Sequence, residues 1–370
     1  MNKLVLVGNG FDLAHGMKTT YTNFICAYFR RLLQEAIKQQ RSVKDDSLEI
    51  NIRDEAALIN FKYYLPSRGH LDDAAMLSIL SNETHFKIND QKIPNFFECS
   101  AHNSIVHYAL ERLNEVNWVD IEEIYYDNLL EEAKPSSDDM VHYLNECLEM
   151  VIRELERYLS SVEVAGINKE VLSILREPFK QQDFKDRLLL MPRRCANMLL
   201  LNFNYTTTLK QYRDRLRELE PEMQVELIHI HGELNSPNNP IIFGFGDEMD
   251  DHYKILEKQK DNSVLDYMKS FGYFRTNNYR RLTQFLEGDA FQVEIMGHSC
   301  GLSDRVMLNM IFEHPNCKSI KVYYYRCQEG FEGTNFKELT QNISRHFNKK
   351  TLMRDLVVDY RFSREMPQIR

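Results

Sequence analysis

In this chain the residues able to do chemistry recur directly after short apolar runs. Gly8, Asn9, Gly10, Phe11 and Asp12 follow LVLV, and Asn202-Phe203-Asn204-Tyr205-Thr206 closes NMLLLNF. His231-Gly232 ends VELIHIHG, and Gly244-Phe245-Gly246-Asp247 follows PIIF (240–243). Gly297-His298-Ser299, with Ser303-Asp304 just beyond, follows FQVEIM. Glycines let a backbone approach a ligand closely, and a helix starting at such a turn offers N–H groups and the positive end of its dipole, a combination suited to phosphate. A histidine titrates near neutral pH and suits a general base, while an asparagine can orient a ligand by hydrogen bonds. Ligands of open parallel sheets bind beyond the carboxyl ends of the strands, which is where all these residues fall.

Taken singly, each motif has a plainer reading. Gly8-Asn9-Gly10 lacks the third glycine of the dinucleotide fingerprint, because Leu13 stands there, and the spacing to Gly16-Met17-Lys18 does not make a P-loop. Glycines needed only for turn geometry are the competing explanation. Asn204 and the threonines after it could simply cap the helix begun by TLKQYRDRL. Alternation puts His229 and His231 on one face of a strand, but no HExxH or cysteine pair accompanies them, and no metal is expected. GHSCG (297–301) matches the nucleophile elbow G-x-S-x-G, so a serine hydrolase acting through Ser299 is a rival. Its triad would need His314 or His346, the histidines that follow, with Asp304 only five residues on.

The elements that must position these loops are strands at 3–9, 197–203, 225–232, 240–245, 291–297, 319–326 and 355–360. Helical patterns such as TLKQYRDRLREL separate them. Between Tyr21 and about Met191 strand signals are nearly absent, and helical periods dominate, as in DMVHYLNECLEMVIRELERYL. The expected fold is α/β, a Rossmann-like parallel sheet with a large helical insertion after the first strand-helix unit. In residue terms, 1–20 with 192–330 form the sheet domain, 21–191 the insertion, and 331–370 a C-terminal segment packing on the α/β domain. Segment 41–100, with SRGHLDD and SNETH, reads as loop-rich and mobile.

Composition narrows the function. A net charge of −9 argues against a broad nucleic-acid surface, although Arg193-Arg194 and Arg280-Arg281 are local basic pairs. Seven scattered cysteines without a C-x-x-C pair fit a reducing cytoplasm better than a disulfide scaffold. No run approaches the roughly 20 apolar residues of a membrane helix, and LVLV is too short for a signal-peptide core. A cytoplasmic protein without membrane contact is expected.

Together GNGFDLAHG with KTTY, NWVDIEE, LNFNYTTTL, HIHGEL, IIFGFGDE and GHSCGLSDR resemble the bacteriophage abortive infection AbiH family. That family is in turn similar to SIR2-like NAD-binding proteins, several of which hydrolyse NAD in phage defence. The resemblance implies NAD or a close relative as ligand or substrate, with no metal. It places Gly8, Asn9 and Gly10 at the pyrophosphate, with Phe11 and Asp12 also among the cofactor-binding residues, Asn204 beside the nicotinamide ribose and His231 as general base. Gly244 joins the ligand loops, and Gly297, His298, Ser299 and Asp304 face the adenosine half. The sirtuin zinc cysteines are absent, and Thr206 stands where sirtuins carry an aspartate, which argues against protein deacylation. The implied activity is release of nicotinamide and ADP-ribose, restrained by a homo-oligomer, a phage-derived trigger or a partner protein. The alternative is a non-catalytic nucleotide sensor that switches a partner.

Overall fold

A computed structural model describes residues 1–61, 71–88, 91–111, 118–133, 138–185 and 195–369. Ser67 to His70 of the SRGHLDD stretch, Asn117 of NWVDIEE, and Arg193-Arg194 lie outside the described residues. The chain divides into two units. One comprises Met1–Lys18, Val162–Lys260 and Tyr267–Arg370; the other comprises Thr19–Ser161 and Asp261–Asp266.

The first unit is built on a six-stranded sheet. Its strands, numbered here in chain order, are β1 (Asn2–Val7), β2 (Asn197–Asn202), β3 (Gln224–His229), β4 (Phe291–Met296), β5 (Cys317–Tyr324) and β6 (Arg364–Glu365). They lie in the order β6-β5-β4-β1-β2-β3, and every pairing is parallel. A parallel sheet must be covered on both faces, so its strands are apolar at successive positions. Leu4 and Leu6 of β1 point into one core with Leu282 and Leu286 of helix Asn278–Gly288 and Leu308 and Ile311 of helix Arg305–Phe312. Val5 and Val7 point into the other, with Phe11, Val171, Leu209 and Tyr212. β1 and β4 are neighbours, and the chain order runs outward from them in opposite directions. Their carboxyl ends therefore flank the switch point at which such sheets form a ligand crevice.

Two expected strands are absent. The run 240–245 makes only an isolated bridge, Phe245 to Met268. Gly244 has φ +152, and the N–H groups of Ile242 and Phe245 donate to the carbonyls of His231 and Tyr267, so no ladder partner is left for them. Residues 355–360 do not form a strand either. Helix Lys350–Leu356 runs into the segment, Val357 bridges Ile320 once, and the edge strand comes later, at 364–365. His229 ends β3, so His231 lies in a turn and the two histidines do not share a strand face.

The second unit is not purely helical. Around helices Tyr21–Gln39, Trp118–Glu132 and Asp138–Ser161 it carries a three-stranded antiparallel sheet of Val43–Lys44, Leu48–Ile52 and Phe97–Ala101. A hairpin of His85–Ile88 and Gln91–Pro94 adds a second small sheet. Segment 41–100 thus carries helices and strands among its loops. Leu48 and Ile50 alternate inward against Phe97 and Cys99, a period-two pattern too short to stand out from the loops around it. Among the described residues no helix is long and apolar enough to cross a membrane.

The face carrying Val5 and Val7 also buries charge. Lys3 is 1% exposed; its Nζ lies 3.1 Å from Glu294 Oε1 and donates to the carbonyls of Leu175 and Glu177. Removing one partner of such a pair strands a buried charge, whereas replacing both with apolar side chains does not. We expect Lys3→Met to cost about 3–5 kcal/mol in chemical denaturation and the double variant Lys3→Met/Glu294→Leu to recover most of that loss. Equal losses in the single and double variants would refute the pairing as the cause.

Candidate functional site

The loops after β1 and β4 meet at the switch point with their backbones in contact. Gly10 N–H donates to Gly297 O at 2.8 Å, and Gly8 N–H to Met296 O at 3.3 Å. A Cβ on Gly8 would stand 2.6 Å from His298 Cα, one on Gly10 2.8 Å from Gly297 Cα, and one on Gly297 2.1 Å from Phe11 N. Gly297 also has φ +74, which a side chain would strain. These glycines are needed first so that two loops can touch. Asn9 is partly exposed in the same turn, and Phe11 is buried against His15 and Tyr212 as part of the core.

The loop after β2 clamps this junction. Asn204 Nδ2 donates to Gly8 O at 3.0 Å. Asn202 holds the loop in shape: its Oδ1 accepts from Asn204 N–H, and its Nδ2 lies 3.1 Å from His229 Nδ1. Burial lowers the affinity of His229 for a proton, to a pKa of about 4, so it serves here as a neutral acceptor. Two residues on, Thr206 Oγ1 donates to Asp12 Oδ2 at 2.6 Å. Asp12 is 1% exposed, and its other oxygen, Oδ1, has no partner. Burial pushes its pKa up to about 6, against the pull of hydrogen bonds from Thr206 and Thr208.

The loops after β3 and β4 bring three of the expected site residues together. His231 Nε2 lies 3.0 Å from Asp304 Oδ1, and His298 Nε2 lies 3.7 Å from Asp304 Oδ2. Phe203, next to Asn204, packs its ring on both imidazoles, with centroids 5.1 Å and 4.1 Å away. Two further members had no sequence signal. Lys269 Nζ lies 3.1 Å from Asp304 Oδ1 and 3.3 Å from Ser303 Oγ, and the Tyr273 hydroxyl is 3.3 Å from His231 Nε2. Lys269 opens the short helix Lys269–Gly272 and Tyr273 the 3-10 turn Tyr273–Arg275, so neither follows a strand and no strand-end motif marks them. Burial pushes the Asp304 carboxyl up, but Lys269, then His231 and His298, outweigh it and hold the group well below the usual range.

The glycines of IIFGFGDE serve this cluster indirectly. A Cβ on Gly244 would lie 1.9 Å from Tyr267 O, and one on Gly246 2.5 Å from Ser303 O and 3.4 Å from the Lys269 side chain. Gly244 therefore seats the Lys269 segment, and Asp247 beyond it pairs with Arg305 at 3.0 Å. Ser299 stands apart. It is exposed, its carbonyl accepts from Asn342, and Cys300 rather than Ser299 takes the positive φ. The histidines a triad would need go elsewhere: His346 to the Cys300 carbonyl and His314 toward Glu287.

A family model described as bacteriophage abortive infection AbiH matches residues 4–326. The chain belongs to the AbiH family. Among curated proteins nothing matches it. The AbiH match starts in β1 and ends just past β5, so it takes in every strand-end loop described above. Membership in AbiH ties the chain to abortive infection of bacteriophage.

Two outcomes follow for the AbiH loops. Gly297→Ala should lower the melting temperature in the absence of any ligand, with a cost of roughly 1–3 kcal/mol or more, because the loop junction must part; an unchanged melting curve would refute the contact. Asp12 binds its proton more tightly folded than unfolded, so its contribution to stability is complete below about pH 4 and is lost as pH rises through about 6. Asp12→Asn should therefore match the parent near pH 4 and exceed it above pH 6, by on the order of 3 kcal/mol in chemical denaturation. A difference that does not change with pH would contradict the burial of an ionised group.

Proposed function

We propose that this chain binds NAD or a closely related nucleotide at the carboxyl edge of its parallel sheet and hydrolyses the nicotinamide–ribose bond. Water enters at the ribose carbon, nicotinamide leaves, and ADP-ribose is the second product. The observation that carries the reading is the buried His231–Asp304 pair at 3.0 Å, set among loops that converge beside the β1–β4 switch point. The strand order and the paired glycine loops agree with a Rossmann-like, SIR2-like pocket for a dinucleotide.

The leaving group is already a pyridinium, so little acid help is needed, and the demands are to hold the ribose and to activate one water. A carboxylate only accepts, so the hydrogen of His231 lies on Nε2, facing Asp304, and Nδ1 is the nitrogen that can take a proton from water or a ribose hydroxyl. Asn204 spends its Nδ2 on Gly8 O and keeps Oδ1 to orient the water or the carboxamide. The N–H groups of Gly8, Gly10 and Phe11 are already bonded to Met296 O, Gly297 O and Gly8 O, so pyrophosphate contacts by these groups would follow a rearrangement of the junction.

The burial of the cluster favours a restrained site. His231, Asp304 and Asn204 are each less than a tenth exposed, and turnover would require an opening step. A phage-derived trigger, a partner protein or a homo-oligomer would supply it. The same burial favours a sensing module as the second reading, in which the nucleotide binds and a partner responds.

Purified protein, alone or with phage lysate, should release nicotinamide and ADP-ribose from NAD, as followed by chromatography. His231→Ala should lower kcat by about 10²–10⁴-fold while the protein remains folded by circular dichroism, and Asn204→Ala should also lose turnover. Undiminished turnover in these two variants would sink the assignment. Stabilisation by NAD without turnover under triggered conditions would favour the sensor.

A further inference from the structure

We propose that Lys269 is a positioning residue that sets the charge state and tautomer of His231 by neutralising Asp304. The inference rests on the reading of His231 as the general base. Asp304 is 6% exposed and accepts on one oxygen, Oδ1, from both Lys269 Nζ at 3.1 Å and His231 Nε2 at 3.0 Å. A carboxylate so buried needs a positive charge beside it. Without Lys269 the nearest source is an imidazole: His231 would take up a second proton, become imidazolium and lose the lone pair a base requires. With Lys269 present the negative charge is already balanced, and His231 can stay neutral while its Nε2–H still points at Asp304. That leaves the lone pair on Nδ1.

Among the described residues, the charged and titratable groups facing His231 are Asp304, Lys269 through that carboxylate, and the Tyr273 hydroxyl; His298 faces the other oxygen of Asp304. His298 cannot take over the role of base, since its Nδ1 already accepts from Cys300 N–H at 3.0 Å. The placement of Lys269 is also built in. Its side chain is 1% exposed, its N–H donates to Phe245 O at 2.9 Å, and Gly246 leaves the space along its stem. A lysine kept only for solubility would not be buried in this way.

The test is the protonation state of the histidine rings, read by ¹⁵N NMR on histidine-labelled protein, with His231 assigned by its loss in His231→Asn. In the parent at pH 7, His231 should be neutral with its hydrogen on Nε2. In Lys269→Met it should shift to the doubly protonated ring, and Lys269→Arg, which keeps the charge, should restore the neutral ring at least in part. A His231 signal identical in the parent and Lys269→Met would overturn the proposal. If Lys269→Met does not fold, the parent spectrum still decides: an imidazolium, or a hydrogen on Nδ1, at pH 7 would overturn it, and the neutral Nε2–H ring would support it. This readout needs no turnover, so it separates a failure of this inference from a failure of the NAD reading. Where turnover is present, Lys269→Met should in addition lower kcat more than it raises KM.

Discussion

A carboxylate that is almost wholly removed from water must find its counter-charge inside the protein, and Asp304 is that group here. Its demands explain why four chain segments converge. Lys269 comes from beyond the third glycine loop, His231 from the turn after β3, His298 from the turn after β4, and Asp304 from the 3-10 turn (Leu302–Asp304) that precedes helix Arg305–Phe312. The first three supply a hydrogen or a charge to the two oxygen atoms of the fourth. If one is removed the others must change protonation or position, because the low local dielectric leaves no solvent to take up the difference.

The glycines are understood through the same geometry. Gly8, Gly10 and Gly297 bring two loops into backbone contact, and Gly244 and Gly246 bring the Lys269 segment against Tyr267 and Ser303. In both places a methyl group would collide with backbone, which cannot move aside as a flexible side chain does. The loops that hold the polar cluster are therefore held by one another before any ligand arrives. Asp12 is not fully satisfied: one oxygen is bonded to Thr206 and the other has no partner, a cost in stability of the kind found at functional sites.

Much of this was legible in the residues. Largely apolar runs marked β1, β2, β4 and β5, because a strand buried on both faces carries few polar side chains and pairs those it has, as Lys3 with Glu294, and the chemistry at their ends was visible as isolated glycine, asparagine and histidine. The small sheet of the second unit was not legible, since LEINI and FECSA are too short for their alternation to rise above the surrounding charge. The apolar run PIIFGF misled for the opposite reason: it is buried like a strand, but its N–H groups are spent on loop carbonyls. Lys269 and Tyr273 carried no signal at all. A lysine between methionine and serine looks like any surface lysine until the fold shows that it has no access to water.

The sequence by itself determined the strands of the parallel sheet, the family, and the set of polar residues at the strand ends, because these depend on local patterns of burial and turn chemistry. Tertiary structure alone decided which of those residues meet. His231, His298 and Asp304 share one carboxylate, Asn204 reaches Gly8, Asp12 meets Thr206, and Ser299 is left outside. Those contacts join positions far apart along the chain, and they depend on strand order and loop approach, which no local pattern encodes.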